Sequence, residues 1–183
     1  PVYWILGNHD TDKELYHDNL FNFAHQNLHH IGDKVVKIFA KNGEFISLSG
    51  LDGVFREKIW MPLRTDVDGF VEKPGVTRDR YIATIGKGNR WRGGLPLRHR
   101  STIFPDGYEI LSNLSTDILV THEAPSPHTY GFPVLHELAK SMGAKFSFHG
   151  HQHQSIDYGF HDGVRVRGVG SCDIMDLQGN LIR

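Results

Sequence analysis

Val2 to Leu6 is a compact apolar run, the pattern of a buried strand. It gives way to the polar stretch Gly7-Asn8-His9-Asp10, after which Thr11-Asp12-Lys13-Glu14 reads as a helix capping box. Tyr16, Leu20, Phe23, Ala24, Leu28 and Ile31 recur at helical spacing and predict a helix that stops at Gly32. Apolar runs at 35–39 and 45–48 flank Asn42-Gly43, which predicts a hairpin. Residues 51–100 are irregular apart from one short helix at 77–85, ended by Gly86. A helix opens at Pro105-Asp106 and runs to about Leu114, and a strand at 117–121 ends at His122. A helix at 133–142 closes on Gly143, and a strand at 145–148 leads into His149-Gly150-His151-Gln152-His153. Asp162-Gly163 turns between two last strands, 155–160 and 164–169. Strands alternating with helices, with hairpins added, predict a mixed α/β domain.

Composition narrows this picture. A chain of 183 residues with 39% hydrophobic and 22% charged positions is long enough for one sizeable core, so 1–183 reads as one domain. No apolar run approaches the ~20 residues of a membrane helix, and no secretory signal opens the chain. The single cysteine, Cys172, excludes an internal disulfide and fits a reducing, cytoplasmic setting. A net charge of −1 excludes a whole-chain field for nucleic acid or membrane. That total hides an asymmetry. Between Lys73 and Arg100 stand eight basic residues and one acid, Asp79, a local charge of +7. This lies in a basic insertion of about 64–104, which reads either as a solvated face or as a flap over an anionic substrate, with Arg90 and Arg92 as its contacts.

The chain also holds 13 histidines, and the polar clusters fall in a pattern. Asn8-His9-Asp10, His122-Glu123 and His151-Gln152-His153 each sit just past the C-terminal end of a predicted strand. Open α/β sheets bind ligands at that edge. In an extended segment His151 and His153 share one face. Taken singly, each cluster also reads as an ordinary turn or loop. His128, in the Pro-rich loop after His122, is a weaker candidate for substrate contact. His25 and His29 have chelating spacing but no carboxylate or cysteine partner, and read as solvated.

Together, Gly7-Asn8-His9-Asp10, the strand ending in His122, and Gly150-His151-Gln152-His153 resemble, in order and spacing, the calcineurin-like metallophosphoesterase superfamily. The resemblance implies a four-layer αββα sandwich, with helices outside two mixed sheets. It implies two divalent ions (Mn, Fe or Zn), and phosphomonoester or phosphodiester hydrolysis by in-line attack of a metal-bridging hydroxide. By motif position Asn8, His122 and His151 would hold one ion and His153 the other. His9 would protonate the leaving oxygen, oriented by Asp10. Asp10 in place of glutamate, together with the Gly-His-x-His form, tilts toward the broader bacterial-type phosphatases and phosphodiesterases. The implied partner is a phosphate ester, with a nucleotide as one option. Nucleic acid stays open, no membrane is expected, and the oligomeric state is unspecified.

Two motifs of the family are missing. The chain contains no Asp-x-His. Its Gly32-Asp33 follows the asparagine motif instead of preceding it, and reads as a helix stop. The simplest expectation is a chain that lacks the first strand–helix–strand of the sandwich and binds only one ion, with impaired hydrolysis. The alternative is a truncated or degenerate member acting as a non-catalytic metal-binding or interaction module.

Overall fold

The computed structural model describes residues 1–22, 27–65, 72–178 and 180–182. A six-stranded sheet forms the centre. Its strands are β3 (Lys34–Phe39), β4 (Phe45–Leu51), β5 (Ile118–Thr121), β6 (Phe146–His149), β7 (Ile156–His161) and β8 (Val164–Gly168), in the order β3-β4-β5-β6-β8-β7. The four inner strands are parallel, and each edge is closed by an antiparallel hairpin. A second sheet pairs β1 (Val2–Trp4) with β2 (Leu28–His30) in parallel. The helices are α1 (Glu14–Asn22), α2 (Arg78–Thr84), α3 (Pro105–Ser112) and α4 (Pro133–Ser141). This is the mixed α/β class expected. Two sheets and helices are the ingredients of the sandwich, with the second sheet holding two strands among the described residues.

The core lies between the sheet and the pair α3–α4. Leu119, Leu111, Leu135, Leu138, Met142 and Val166 are all buried there. Alternation along β5 explains the division: Leu119 is fully buried while Val120 turns to the other face. That other face, with Ile46, Leu48, Val120 and Phe148, lines a 430 Å³ groove together with Met175 and Leu177 of the C-terminal segment. Among the described residues no helix is long and apolar enough to cross a membrane.

The first helix departs from expectation. It starts at Glu14, and Leu28–His30 is a strand instead of its last turn. Phe23, Ala24 and His25 lie outside the described residues. The apolar spacing of Leu28 and Ile31 fits a helix, but parallel pairing with β1 takes their backbone groups, and Ile31 N–H donates to Trp4 O at 3.0 Å. His29 accordingly stacks on Tyr3 instead of lying on a solvated helix face. Gly32 forms a bridge with Gly50, and Asp33 pairs with Arg78 at 3.2 Å, so neither ends a helix. Thr11 caps nothing: its buried hydroxyl donates to Ser101 Oγ at 2.9 Å. Most remaining elements fall within a residue or two of the expected bounds; β4 runs three residues further, to Leu51, and two 3-10 turns, Lys87–Asn89 and Leu97–Ser101, lie in the stretch expected to be irregular.

The basic insertion is not a free flap. Leu95, Ile103 and Phe104 are in the core, and Trp91 packs edge-on against His17. Its residues 66–71 lie outside the described residues.

One carboxylate ties β4 to β5. Asp117 accepts from Ser47 N–H at 2.9 Å, Ser47 Oγ–H at 2.6 Å and Lys145 Nζ at 2.9 Å. These donors hold it near pKa 2, below the ordinary 3.8. A depressed carboxylate stabilises the fold above its unfolded pKa, and the contribution is lost as pH falls through the folded value. Asp117→Asn is therefore expected to cost about 1–2 kcal/mol at pH 7. The cost should shrink toward zero as pH falls through 2. Urea unfolding across that range measures it, and a pH-independent cost would contradict the assignment.

Candidate active site

The C-terminal ends of β4, β5 and β6 are in register, with Leu51 opposite Thr121 and Thr121 opposite His149. The residues that follow each strand therefore emerge side by side. The loop after β1 is fastened to the same edge. Leu6 N–H donates to Asp52 Oδ1 at 2.8 Å, and Gly53 N–H donates to Leu6 O at 2.7 Å. Asn8 is delivered to His122 in this way: Asn8 Oδ1 stands 3.0 Å from His122 Nε2. His151 Nδ1 stands 2.9 Å from the same nitrogen. Gly7 permits the approach, since a Cβ there would lie 2.9 Å from His122 Cε1.

Backbone shape at the last motif corrects one expectation. His151 (φ 64°) and His153 (φ 56°) are both in the left-handed region, so the segment is not extended and strand alternation does not apply. His151 is half-buried against His122, while His153 is exposed. Such backbone conformations concentrate at functional sites, where the surroundings enforce them.

Electrostatics follow from crowding. Burial, then His151, His153 and His9, hold His122 down at about pKa 4. Burial, then His153 and His9, lower His151 as well. Both imidazoles are thus neutral at pH 7, the form that offers a lone pair to a cation. Glu123 is buried beside them, and burial pushes it up to about 7. Its Oε2 lies 4.0 Å from His151 Nε2.

His9 is exposed at the rim of a 360 Å³ cleft that it shares with Asn8, Asp12, Arg56 and Arg98. Its Nδ1 pairs with Asp12 Oδ2 at 2.6 Å. Asp10, expected to orient His9, accepts instead from Gly7 N–H at 2.6 Å and so shapes the loop. The side chains expected to contact substrate have partners within the chain. Arg90 donates to Ile82 O at 2.8 Å and braces the end of α2. Arg92 is held by Glu14 at 2.7 Å and Asp18 at 2.8 Å, and lies over Trp91. His128 is buried, with Nδ1 accepting from Tyr130 N–H at 2.9 Å and its ring against His149. Local acids, a helix end and a packed ring take up these three side chains, and none lines the cleft. Arg56 and Arg98 do. Arg98 was legible only as one member of a charge run, and Arg56 carried no motif.

Among the described residues no three His, Cys, Asp or Glu side chains stand at metal-ligand spacing. The third donor is the Asn8 amide oxygen. Two neutral imidazole nitrogens and one amide oxygen converging within hydrogen-bond distance fit one borderline divalent ion. His153, given to a second ion by motif position, is exposed, and no cluster of three such side chains stands with it among the described residues.

A protein of Haemophilus influenzae, named only as uncharacterised, is 37% identical over 183 residues, covering 99% of this chain and 74% of its own length. Two solved structures are more distant. One is a Staphylococcus aureus protein with the provisional name 5′-nucleotidase, in complex with alpha-ketoglutarate; it is 16% identical with TM-score 0.47, over 98% of this chain and 36% of that one. The other is a Candida albicans 5′-nucleotidase, 15% identical with TM-score 0.41, over 93% and 31%. The chain spans about a third of the length of these two structures. The family model for the calcineurin-like phosphoesterases, hydrolases that normally use divalent metals, matches residues 1–155. That stretch carries Asn8, His9, His122, His151 and His153 together, and on this match the chain belongs to the calcineurin-like phosphoesterase family.

Proposed function

We propose that this chain hydrolyses phosphate esters with a divalent ion held by Asn8, His122 and His151. The observation that carries the reading is the convergence of their three donor atoms beside His9. A bound ion supplies Lewis-acid polarisation and acidifies water. The protein's own groups do the rest. Asn8, His122 and His151 fix where the ester is presented. A phosphorus–oxygen bond to water forms as the bond to the departing oxygen breaks. His9, with Nδ1 anchored on Asp12, delivers the Nε2 proton to that departing oxygen, and the proton released by water returns to solvent. Mn, Fe and Zn all suit a nitrogen–oxygen donor set. The single exposed Cys172 supports a reducing, cytoplasmic setting.

The test is metal analysis with assays on p-nitrophenyl phosphate and bis-p-nitrophenyl phosphate. About one ion per chain is expected, with activity lost to EDTA and restored by Mn. Hydrolysis indifferent to chelation would sink the reading, and two tightly held ions would contradict the one-ion site.

A further inference from the structure

Two cavities meet at one pair of arginines. The 360 Å³ cleft that holds Asn8 and His9 is walled by Arg56 and Arg98. An adjoining 390 Å³ cleft shares the same two arginines and continues along Phe55, Lys58, Met61 and His99. Arg56 is fixed on its inner side, with Nε donating to Thr102 Oγ1 at 3.0 Å, and its carbonyl accepts from Ile59 and Trp60 N–H in a tight turn. Among the described residues no carboxylate pairs with Arg56, Lys58 or Arg98. Glu57, the one acid on this wall, is taken by Lys73. His99 lies below the ordinary histidine range, first through burial and then through Arg56, Arg98 and Lys58, which shows how closely these cations gather. Asp12 lines the same cleft and, with Glu123, offsets part of the charge on Arg56, but its carboxylate is paired with His9 at 2.6 Å. Three cations thus converge with no ion-paired carboxylate of their own, and an anion with oxygens on both sides relieves their repulsion.

We propose that Arg56 and Arg98 clamp an anion between the two clefts, and that with Lys58 they select phosphate esters whose departing portion carries a second phosphate. Small organic bisphosphates, with both phosphates held in monoester linkage, are of this class. One phosphoryl group sits beside His9 and the second reaches Lys58, while Phe55 and Met61 give an apolar wall to the organic part. A cleft of this size takes a small molecule. The assignment rests on the phosphoesterase reading for the identity of the bond broken, but the clamp is made of protein cations alone.

Calorimetry on the EDTA-treated chain at low ionic strength separates the two. Pyrophosphate is expected to bind about tenfold or more tighter than inorganic phosphate. Arg98→Ala, at an exposed position, should weaken both anions, and Lys58→Ala should remove the preference for pyrophosphate. His122→Ala should lose hydrolysis yet keep its pyrophosphate affinity. Equal affinities for the two anions, or an unchanged pyrophosphate affinity in Arg98→Ala, would overturn the clamp. A pyrophosphate preference in a chain that hydrolyses no ester supports the clamp and removes only the reading of the bond broken.

Discussion

His122→Ala is expected to abolish divalent-metal binding and to lower phosphoester hydrolysis by roughly 10³-fold or more, the loss of several kcal/mol of charge stabilisation at the reacting phosphoryl group. His122 Nε2 is the atom that both other donors approach, Asn8 Oδ1 at 3.0 Å and His151 Nδ1 at 2.9 Å. Removing it leaves two donors with nothing between them, whereas removing Asn8 leaves an imidazole pair. Asn8→Ala should therefore be less damaging, and the double variant no worse than His122→Ala alone, because the group acts as a unit. The fold should survive. His122 is half-buried and neutral at pH 7, so alanine strands no buried charge. Metal content, circular dichroism and kcat on one preparation decide the matter. Activity retained within tenfold, or metal content unchanged, would refute the assignment.

Gly53→Ala is expected to be strongly destabilising. Gly53 follows β4 at φ 84°, and its N–H closes the link to Leu6 O. A Cβ there would collide with the backbone carbonyl of Ser101 and lie 2.8 Å from Thr102 N. Backbone cannot swing aside as a side-chain tip can. Strain at positive φ and forced overpacking add to about 2–5 kcal/mol, a large part of an ordinary domain's stability. Gly43 is the control. It has φ 86° but nothing within 4 Å of its Cβ position, so Gly43→Ala carries only the backbone strain, about 1 kcal/mol. Thermal melts of the two variants should differ by several degrees. Gly53→Ala should also impair the site, since Leu6, Thr102 and Arg56 hang from the same junction. Equal melting of the two variants would show that the backbone near Ser101 yields easily.

Much of the fold was legible because local signals and tertiary structure agree. Asn42-Gly43 and Asp162-Gly163 turn where turn chemistry demands, and the apolar run at β5 and the alternation at β6 both fit strands. The end of α1 was misread because Leu28 and Ile31 satisfy a helical period as well as a strand that needs β1 beside it. Periodicity cannot weigh a pairing partner so far away in sequence. The chain itself determined the α/β class, and it placed Asn8, His9, His122, His151 and His153 just beyond strand ends. Which of these side chains meet, and which arginines face them, was decided only in three dimensions. The charge run from Lys73 to Arg100 made Arg90 and Arg92 the natural substrate contacts, yet a helix end and the acids of α1 claim them. Arg56 and Arg98 line the cleft because distant segments, joined at Thr102, bring them together there. Charge along a sequence counts cations, whereas the fold determines which of them keep their counter-charges.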